Sequence, residues 1–222
     1  PGEFEHGIGR LWPVRAEWPA LASYFERIQA YNNGGLRAYP GSPLIIADLL
    51  RVQDRAVFVE RQPEECTALR DNLRGRPRIA VHEADGLAML GALLPPPENR
   101  GLVLIDPPYE AANEFVNVAA ALPPALRRWR NGQYLIWYPI KARRPVEQLH
   151  AAVAALEPEA MAIELLTLPE DVPQRLNGSG LILINPPWRL RESLEQILPG
   201  LAEFLAGPGG TPRVRLISLH DS

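Results

Sequence analysis

Four consecutive residues, Asp106-Pro107-Pro108-Tyr109, join a carboxylate, two rigid turns and an aromatic ring directly behind the apolar run Gly101-Leu102-Val103-Leu104-Ile105. Two prolines fix φ and remove two N–H donors, so the backbone leaves the run at a set angle and presents carbonyl acceptors. That combination suits one task. The exocyclic amine of adenine or cytosine is a poor nucleophile because its lone pair is delocalised into the ring. The Asp106 carboxylate and the Pro107 carbonyl can accept its two hydrogens, draw the lone pair out of conjugation and aim it at a methyl sulfonium. Tyr109 can stack on the base once it is flipped out, a contact typically worth ~1–3 kcal/mol.

Two further acids sit where a nucleoside cofactor would need them. Ala56-Val57-Phe58-Val59-Glu60 is a short apolar run ending in an acid, and Ile79 to His82 is another, followed by Glu83-Ala84-Asp85-Gly86. In an open α/β sheet, ligands bind outside the carboxyl ends of the strands. A carboxylate there accepts from both hydroxyls of a ribose diol, and the next one can accept from an adenine amine. A single acid at a strand end is usually just solvated; Glu60, Asp85 and Asp106 in series are more informative. A rival of the same form, Asn185-Pro186-Pro187-Trp188, follows one of the last strands. It reads mainly as a structural turn, with Trp188 a candidate for lining the target-base pocket.

Strands and helices alternate around these residues. Residues 1–38 read as helical, with Leu11, Trp12, Leu21, Tyr24, Phe25 and Ile28 on one apolar face. After the turn Tyr39-Pro40-Gly41-Ser42-Pro43, Ser42 is expected to cap a helix through Leu50. Helices are expected over 63–74, 86–94, 113–129, 145–156 and 190–205, and strands over 56–60, 79–82, 101–105, 133–138, 161–168, 181–184 and 213–219. Uniformly apolar strands separated by helices predict an α/β fold: a mostly parallel sheet with helices on both faces. The strands at 181–184 and 213–219 are expected to form an antiparallel pair at one edge.

Composition narrows the class. The chain has 222 residues, a net charge of −3 and 24 prolines, so it suits one packed domain but carries no positive excess for coating phosphate backbone. Of its 23 basic residues one is a lysine, Lys141. Arg127, Arg128 and Arg130 read as a solvated helix end. Lys141, Arg143 and Arg144 follow a strand and divide evenly between that reading and phosphate contact. Lone Cys66 reads as a small buried hydrophobe; it excludes an internal disulfide and a thiolate metal cluster. His82, His150 and His220 show no metal-ligand spacing, and no metal is expected. No apolar run is long enough to cross a bilayer and no signal peptide opens the chain, so a cytoplasmic setting without membrane contact is expected.

Leu36-Arg37-Ala38-Tyr39-Pro40-Gly41-Ser42-Pro43, Ala84-Asp85-Gly86, the run from Gly101 to Tyr109, Leu135-Ile136-Trp137-Tyr138-Pro139 and Ile184-Asn185-Pro186-Pro187-Trp188 resemble those of the ribosomal RNA large subunit methyltransferase J family. The resemblance spans essentially the whole chain. It implies a Rossmann-like S-adenosylmethionine-dependent methyltransferase fold that makes N6-methyladenosine in 23S ribosomal RNA and releases S-adenosylhomocysteine. Ser42 would touch the cofactor from a helix start, Glu60 would hold its ribose, Asp85 with Gly86 its adenine, and Asp106 the target amine. Residues 1–38 would form a small helical subdomain inserted after the first strand, with 39–222 as the methyltransferase core. The family's opening strand and Gly-rich loop have no counterpart in this sequence and are expected to be missing N-terminally; Asn33-Gly34-Gly35 and the glycines at 207, 209 and 210 do not replace them.

The substrate is expected to be protein-free or early-precursor 23S RNA, and the enzyme a monomer. Two alternatives are a DNA adenine methyltransferase, which an older competence and external-DNA label in the family would fit, and a non-catalytic nucleic-acid-binding protein. Retention of Glu60, Asp85 and Asp106 weighs against the last.

Overall fold

A computed structural model describes residues 3–111, 113–170, 172 and 175–220. The chain divides into two compact units, residues 1–89 and 90–222.

In the first unit, α1 (Ile8–Leu11) and α2 (Ala22–Gln29) are separated by short 3-10 segments at Trp12–Glu17 and Pro19–Leu21. Pro13 and Pro19 stand in the first turns of those segments, where a missing N–H costs nothing and the chain can change direction. Trp12 and Phe25 meet edge to face at 6.5 Å over buried Ile8, Leu11 and Ile28. Asn32 closes the segment. Its amide donates to the carbonyls of Ile28 and Ala38, both at 2.8 Å, and its oxygen accepts from the N–H groups of Arg37 and Ala38 at 2.7 and 2.9 Å. A buried asparagine that uses its full bonding capacity is satisfied, and it pins the loop that leads to Tyr39.

The helix α3 spans Ser42–Leu49, but its cap is Gly41, not Ser42. The Gly41 carbonyl takes the N–H groups of Leu44 and Ile45, and no side-chain bond caps the helix. Strands β1 (Ala56–Glu60) and β2 (Ile79–Glu83) pair in parallel across α4 (Pro63–Asn72), in register from Ala56↔Ile79 to Glu60↔Glu83. Arg76, in the turn before β2, and Tyr31 both donate to the Asp48 carboxylate of α3. Burial alone would raise the Asp48 pKa; the two donors outweigh it and hold the carboxyl below its ordinary value.

After α5 (Gly86–Leu93), the second unit runs β3 (Leu102–Ile105), α6 (Glu114–Arg128), β4 (Gln133–Ile140), α7 (Arg143–Ala154), β5 (Ala160–Leu166), β6 (Gly178–Ile184), α8 (Leu190–Ala206) and β7 (Arg213–Ser218). The strand order is β3-β4-β6-β5-β7. The α/β class is as expected, but this sheet is mixed. β3 and β4 are parallel, while β4–β6, β5–β6 and β5–β7 are antiparallel. The expected pair of late strands does not form, because β5 lies between β6 and β7. The reason is the link from β5 to β6: it contains no helix among its described residues, and a parallel return needs a crossover of a dozen or more residues.

Each strand of the sheet's centre is covered on both faces. Met161, Ile163 and Leu183 pack against Leu190, Leu194 and Leu198 of α8. On the opposite face the Tyr134 hydroxyl donates to carbonyls of α6 and its C-cap, Ala125 and Trp129, and the Tyr138 hydroxyl meets His150 of α7 at 2.9 Å. One cross-strand row on that face reads Tyr138–Gly180–Glu164–Arg215. A Cβ at position 180 would fall 2.1–2.4 Å from the Tyr138 ring, so the row closes only around glycine. Gly180→Ala should therefore destabilise the protein by about 1–3 kcal/mol through overpacking, read as a lower denaturant midpoint with an unchanged slope.

Candidate active site

Ser42 opens α3, and the other sequence-predicted residues take their positions from strand ends. In the first unit, Glu60 closes β1 and Asp85 lies two residues beyond β2, so the parallel pairing puts both at the carboxyl end of the two-stranded sheet. Glu60 Oε1 accepts from the Gln62 N–H at 2.7 Å. Asp85 Oδ1 accepts from Leu87 and Ala88 at 2.9 and 3.1 Å and so caps α5. Among the described residues neither acid's second oxygen takes a hydrogen bond. Gly86 has a φ any residue can adopt, and a Cβ there would meet nothing within 4 Å, so the fold itself places no demand for glycine at this point.

In the second unit, Asp106 follows β3 one step beyond the pair Ile105↔Ile136. Its side chain reaches solvent on one side, while the protein on the other displaces enough water to push its carboxyl pKa above the ordinary aspartate value. No hydrogen bond among the described residues reaches its carboxylate or the Pro107 carbonyl. Both acceptors are therefore available side by side.

Tyr109 plays a different part from the one expected. Its ring is 8% exposed, packed 4.6 Å from Phe115 and 5.9 Å from Trp137, centroid to centroid. Its hydroxyl donates to the Trp137 carbonyl at 2.8 Å. Packed this way the ring is not presented to an incoming base. It holds the loop: Tyr109 stands in the left-handed region at φ 52°, a conformation that costs an L-residue on the order of 1 kcal/mol. The ring contacts and the hydroxyl bond offset that cost, and burial moves the hydroxyl pKa well up. Trp137 and Phe115 thus belong to the site's support, a role that single-residue spacing does not reveal.

The basic cluster after β4 splits. Arg143 is committed, its Nη1 donating to both oxygens of fully buried Glu164 at 2.8 and 2.7 Å. Arg215 Nη1 reaches the same carboxylate at 3.2 Å, and Tyr138 donates to it at 3.2 Å. Lys141 and Arg144 are exposed, and among the described residues neither forms an ion pair. β4 runs parallel to β3, so they stand at the same sheet end as Asp106.

The second Pro-Pro turn lies at the other end. β6 is antiparallel to β4, and Ile184 pairs with Tyr134, so Asn185-Pro186-Pro187-Trp188 leaves the sheet where β4 begins. The expectation that Trp188 lines the target-base pocket is corrected by this reversal of strand direction. The Asn185 side chain is spent on the chain itself, its amide donating to the carbonyls of Arg130 and Gly132 at 2.8 Å each. The structural-turn reading of that residue holds.

Among the described residues no group of three or more His, Cys, Asp or Glu side chains is placed to hold a metal, and no helix is long and apolar enough to cross a membrane.

Acids at successive strand ends of an α/β fold, with an Asp-Pro-Pro-Tyr loop behind one of them, define a Rossmann-like methyltransferase. Residues 1–218 match the family described as ribosomal RNA large subunit methyltransferase D, RlmJ. The chain is 39% identical over 213 residues to ribosomal RNA large subunit methyltransferase J of Haemophilus influenzae, and 38% identical over 213 residues to that of Escherichia coli. Each alignment covers 95% of this chain and 75% of the relative. A protein of solved crystal structure from Legionella pneumophila superposes with a TM-score of 0.91 at 32% identity, over 97% of this chain and 80% of that one. The chain belongs to the ribosomal RNA large subunit methyltransferase J family.

The raised Asp106 pKa makes a prediction with a definite sign. Folding favours the protonated acid, so ionising Asp106 costs the native state at neutral pH; that cost begins to fall as pH drops past the raised value and is gone below the ordinary aspartate value. Asp106→Asn should melt no lower than the unaltered protein at pH 7, with the difference shrinking toward acid. The unaltered protein should lose activity on the acid side above the ordinary aspartate pKa, and residual activity in the variant should lack that limb.

Proposed function

We propose that this chain transfers the methyl group of S-adenosylmethionine to the exocyclic N6 amine of an adenosine in 23S ribosomal RNA, leaving S-adenosylhomocysteine. The observation that carries the reading is the pair of uncommitted acceptors, the Asp106 carboxylate and the Pro107 carbonyl, on a rigid turn in a chain of this family. The residues present fit the cofactor. Glu60 keeps an oxygen for a ribose hydroxyl, Asp85 keeps one for an adenine amine, and Gly86 leaves open space where a flat base can approach. Ser42, whose hydroxyl makes no cap bond, is assigned a cofactor contact from the start of α3. When bound, the cofactor supplies an electrophilic methyl on sulfonium.

Asp106 and Pro107 accept the two hydrogens of the target amine and free its lone pair. As the N–C bond forms and the S–C bond breaks, the nitrogen sheds a proton, and the raised pKa of Asp106 makes it a ready acceptor. Tyr109 acts through the loop it anchors. Lys141 and Arg144 take phosphates beside the target nucleotide, and residues 1–38 serve as a small inserted helical subdomain on the methyltransferase core of 39–222. We assign the protein to the cytoplasm, as a monomer acting on protein-free or early-precursor RNA.

The test is transfer of labelled methyl from S-adenosylmethionine to unmodified, protein-free large-subunit RNA, with adenine-containing DNA alongside and nucleoside analysis of the product. N6-methyladenosine should appear in RNA and fall on the order of a hundredfold or more in Asp106→Ala. Label in DNA alone would turn the assignment to a DNA enzyme, and label in neither from a folded protein would sink it. In the same assay Lys141→Gln and Arg144→Gln should raise KM for RNA, leave kcat unchanged and each lower the salt slope of binding by about one unit.

A further inference from the structure

The second Pro-Pro turn puts an aromatic ring in the open. Trp188 is 89% exposed, while Trp12 and Trp129 are buried. Leaving an indole in water forfeits the burial that usually rewards large aromatic residues. Nothing about the turn is loose. Asn185 sits in the left-handed region at φ 56° and Arg189 at φ 64°. The Asn185 amide is bound to two carbonyls and its N–H to the Glu159 carbonyl at 2.8 Å. Two non-glycine residues held at positive φ, with two prolines between them, fix an outward ring at a cost in backbone strain.

The ring's surroundings say what it is for. The Arg189 guanidinium lies over the indole, 5.3 Å from its centroid, which leaves the opposite face for a second flat group. Exposed Arg100 and Arg130 stand at the same end of the sheet, before β3 and β4. Arg130 and Arg189 each pair with an exposed acid, Glu157 at 3.3 Å and Glu192 at 3.5 Å. Such exposed pairs are worth little and rearrange easily, yet they keep this end from being a phosphate-coating surface. Among the described residues the one ring contact of Trp188 is the charged Arg189, and a single exposed indole is not the broad apolar patch that suits a protein partner. A single stacking platform backed by a cation matches an unpaired nucleobase.

We propose that Trp188, backed by Arg189, is a second RNA contact that stacks an unpaired base of the substrate at the sheet end opposite Asp106. This rests on the ribosomal RNA reading above. Asp106 emerges level with Trp137 and Asn185 level with Gln133, so the two turns leave the sheet in opposite directions, separated along β4 by roughly 13 Å. The contact therefore reads RNA remote from the target adenosine. It contributes to choosing the substrate and takes no part in the transfer step.

The experiment measures affinity of the protein for protein-free large-subunit RNA, in the unaltered chain and in Trp188→Ala, Trp188→Phe and Arg189→Gln. Methyl transfer at saturating RNA, thermal melting and light scattering are recorded on the same preparations. Trp188→Ala should bind RNA roughly tenfold more weakly, the loss of one stacked base. Trp188→Phe should recover most of that, and kcat and melting should not change. A fully paired RNA of equal length should bind alike with or without the indole. Unchanged affinity for the large-subunit RNA in a folded Trp188→Ala protein would overturn the proposal. So would a change of oligomeric state in that variant, which would make the ring a contact between copies. RNA binding that depends on Trp188 without any methyl transfer would refute the catalytic reading and leave this one standing.

Discussion

The Asp106 end of the sheet depends on an absent side chain. Gly180 lies across from Tyr138, and its missing Cβ is the space the phenol ring fills. With the ring in place, its hydroxyl reaches His150 and Glu164, and Glu164, with no exposure at all, draws in Arg143 and Arg215. A buried carboxylate is tolerable when its lone pairs are taken by cations and hydroxyls, and intolerable otherwise. The row across four strands is therefore coupled: each member is stable because the next is there. It fixes the carboxyl end of β4, which supplies the Trp137 carbonyl that Tyr109 uses to hold the Asp106 loop.

This chain of dependence sorts the basic residues by job. Arg143 neutralises a buried acid and ties the start of α7 to the sheet, while Lys141 and Arg144, two and one positions away in the same short stretch, keep their charge for solvent or a partner. Only a neighbour distant in sequence separates the three. Arg215 and Arg213 are likewise taken up by Glu164 and Glu170, and the second of these acids is held below its ordinary pKa by its hydrogen bond to Arg215. Several arginines of an acidic chain thus serve as internal counter-ions.

What was legible from the residues is what depends on local chemistry. Asp106-Pro107-Pro108-Tyr109 could be read because a strand, two prolines and an acceptor act within a few positions, and the strand–helix alternation because periodicity is local. Strand direction was less accessible. The apolar run of β6 looks the same whichever way it points, and its antiparallel course follows from a link after β5 that holds no helix among its described residues. Tyr109 was misjudged for a related reason: an aromatic residue after two prolines suits stacking on a base as well as packing in a core, and Phe115 and Trp137 decide it. Ser42 and Gly41 differ by one position at a helix start, within the usual ambiguity of caps.

One exposed residue has a practical consequence. Lys141 is the sole lysine of the 222-residue chain, and it stands in solvent at the sheet end that carries Asp106. Every other cationic side chain is a guanidinium or an imidazole, neither of which reacts like a primary amine. Apart from the α-amino terminus, an acylating dye or a short amine-directed cross-linker would therefore find one amine among the side chains of these 222 residues, at the sheet end that carries Asp106. Those residues thus offer one side-chain attachment point for a distance probe.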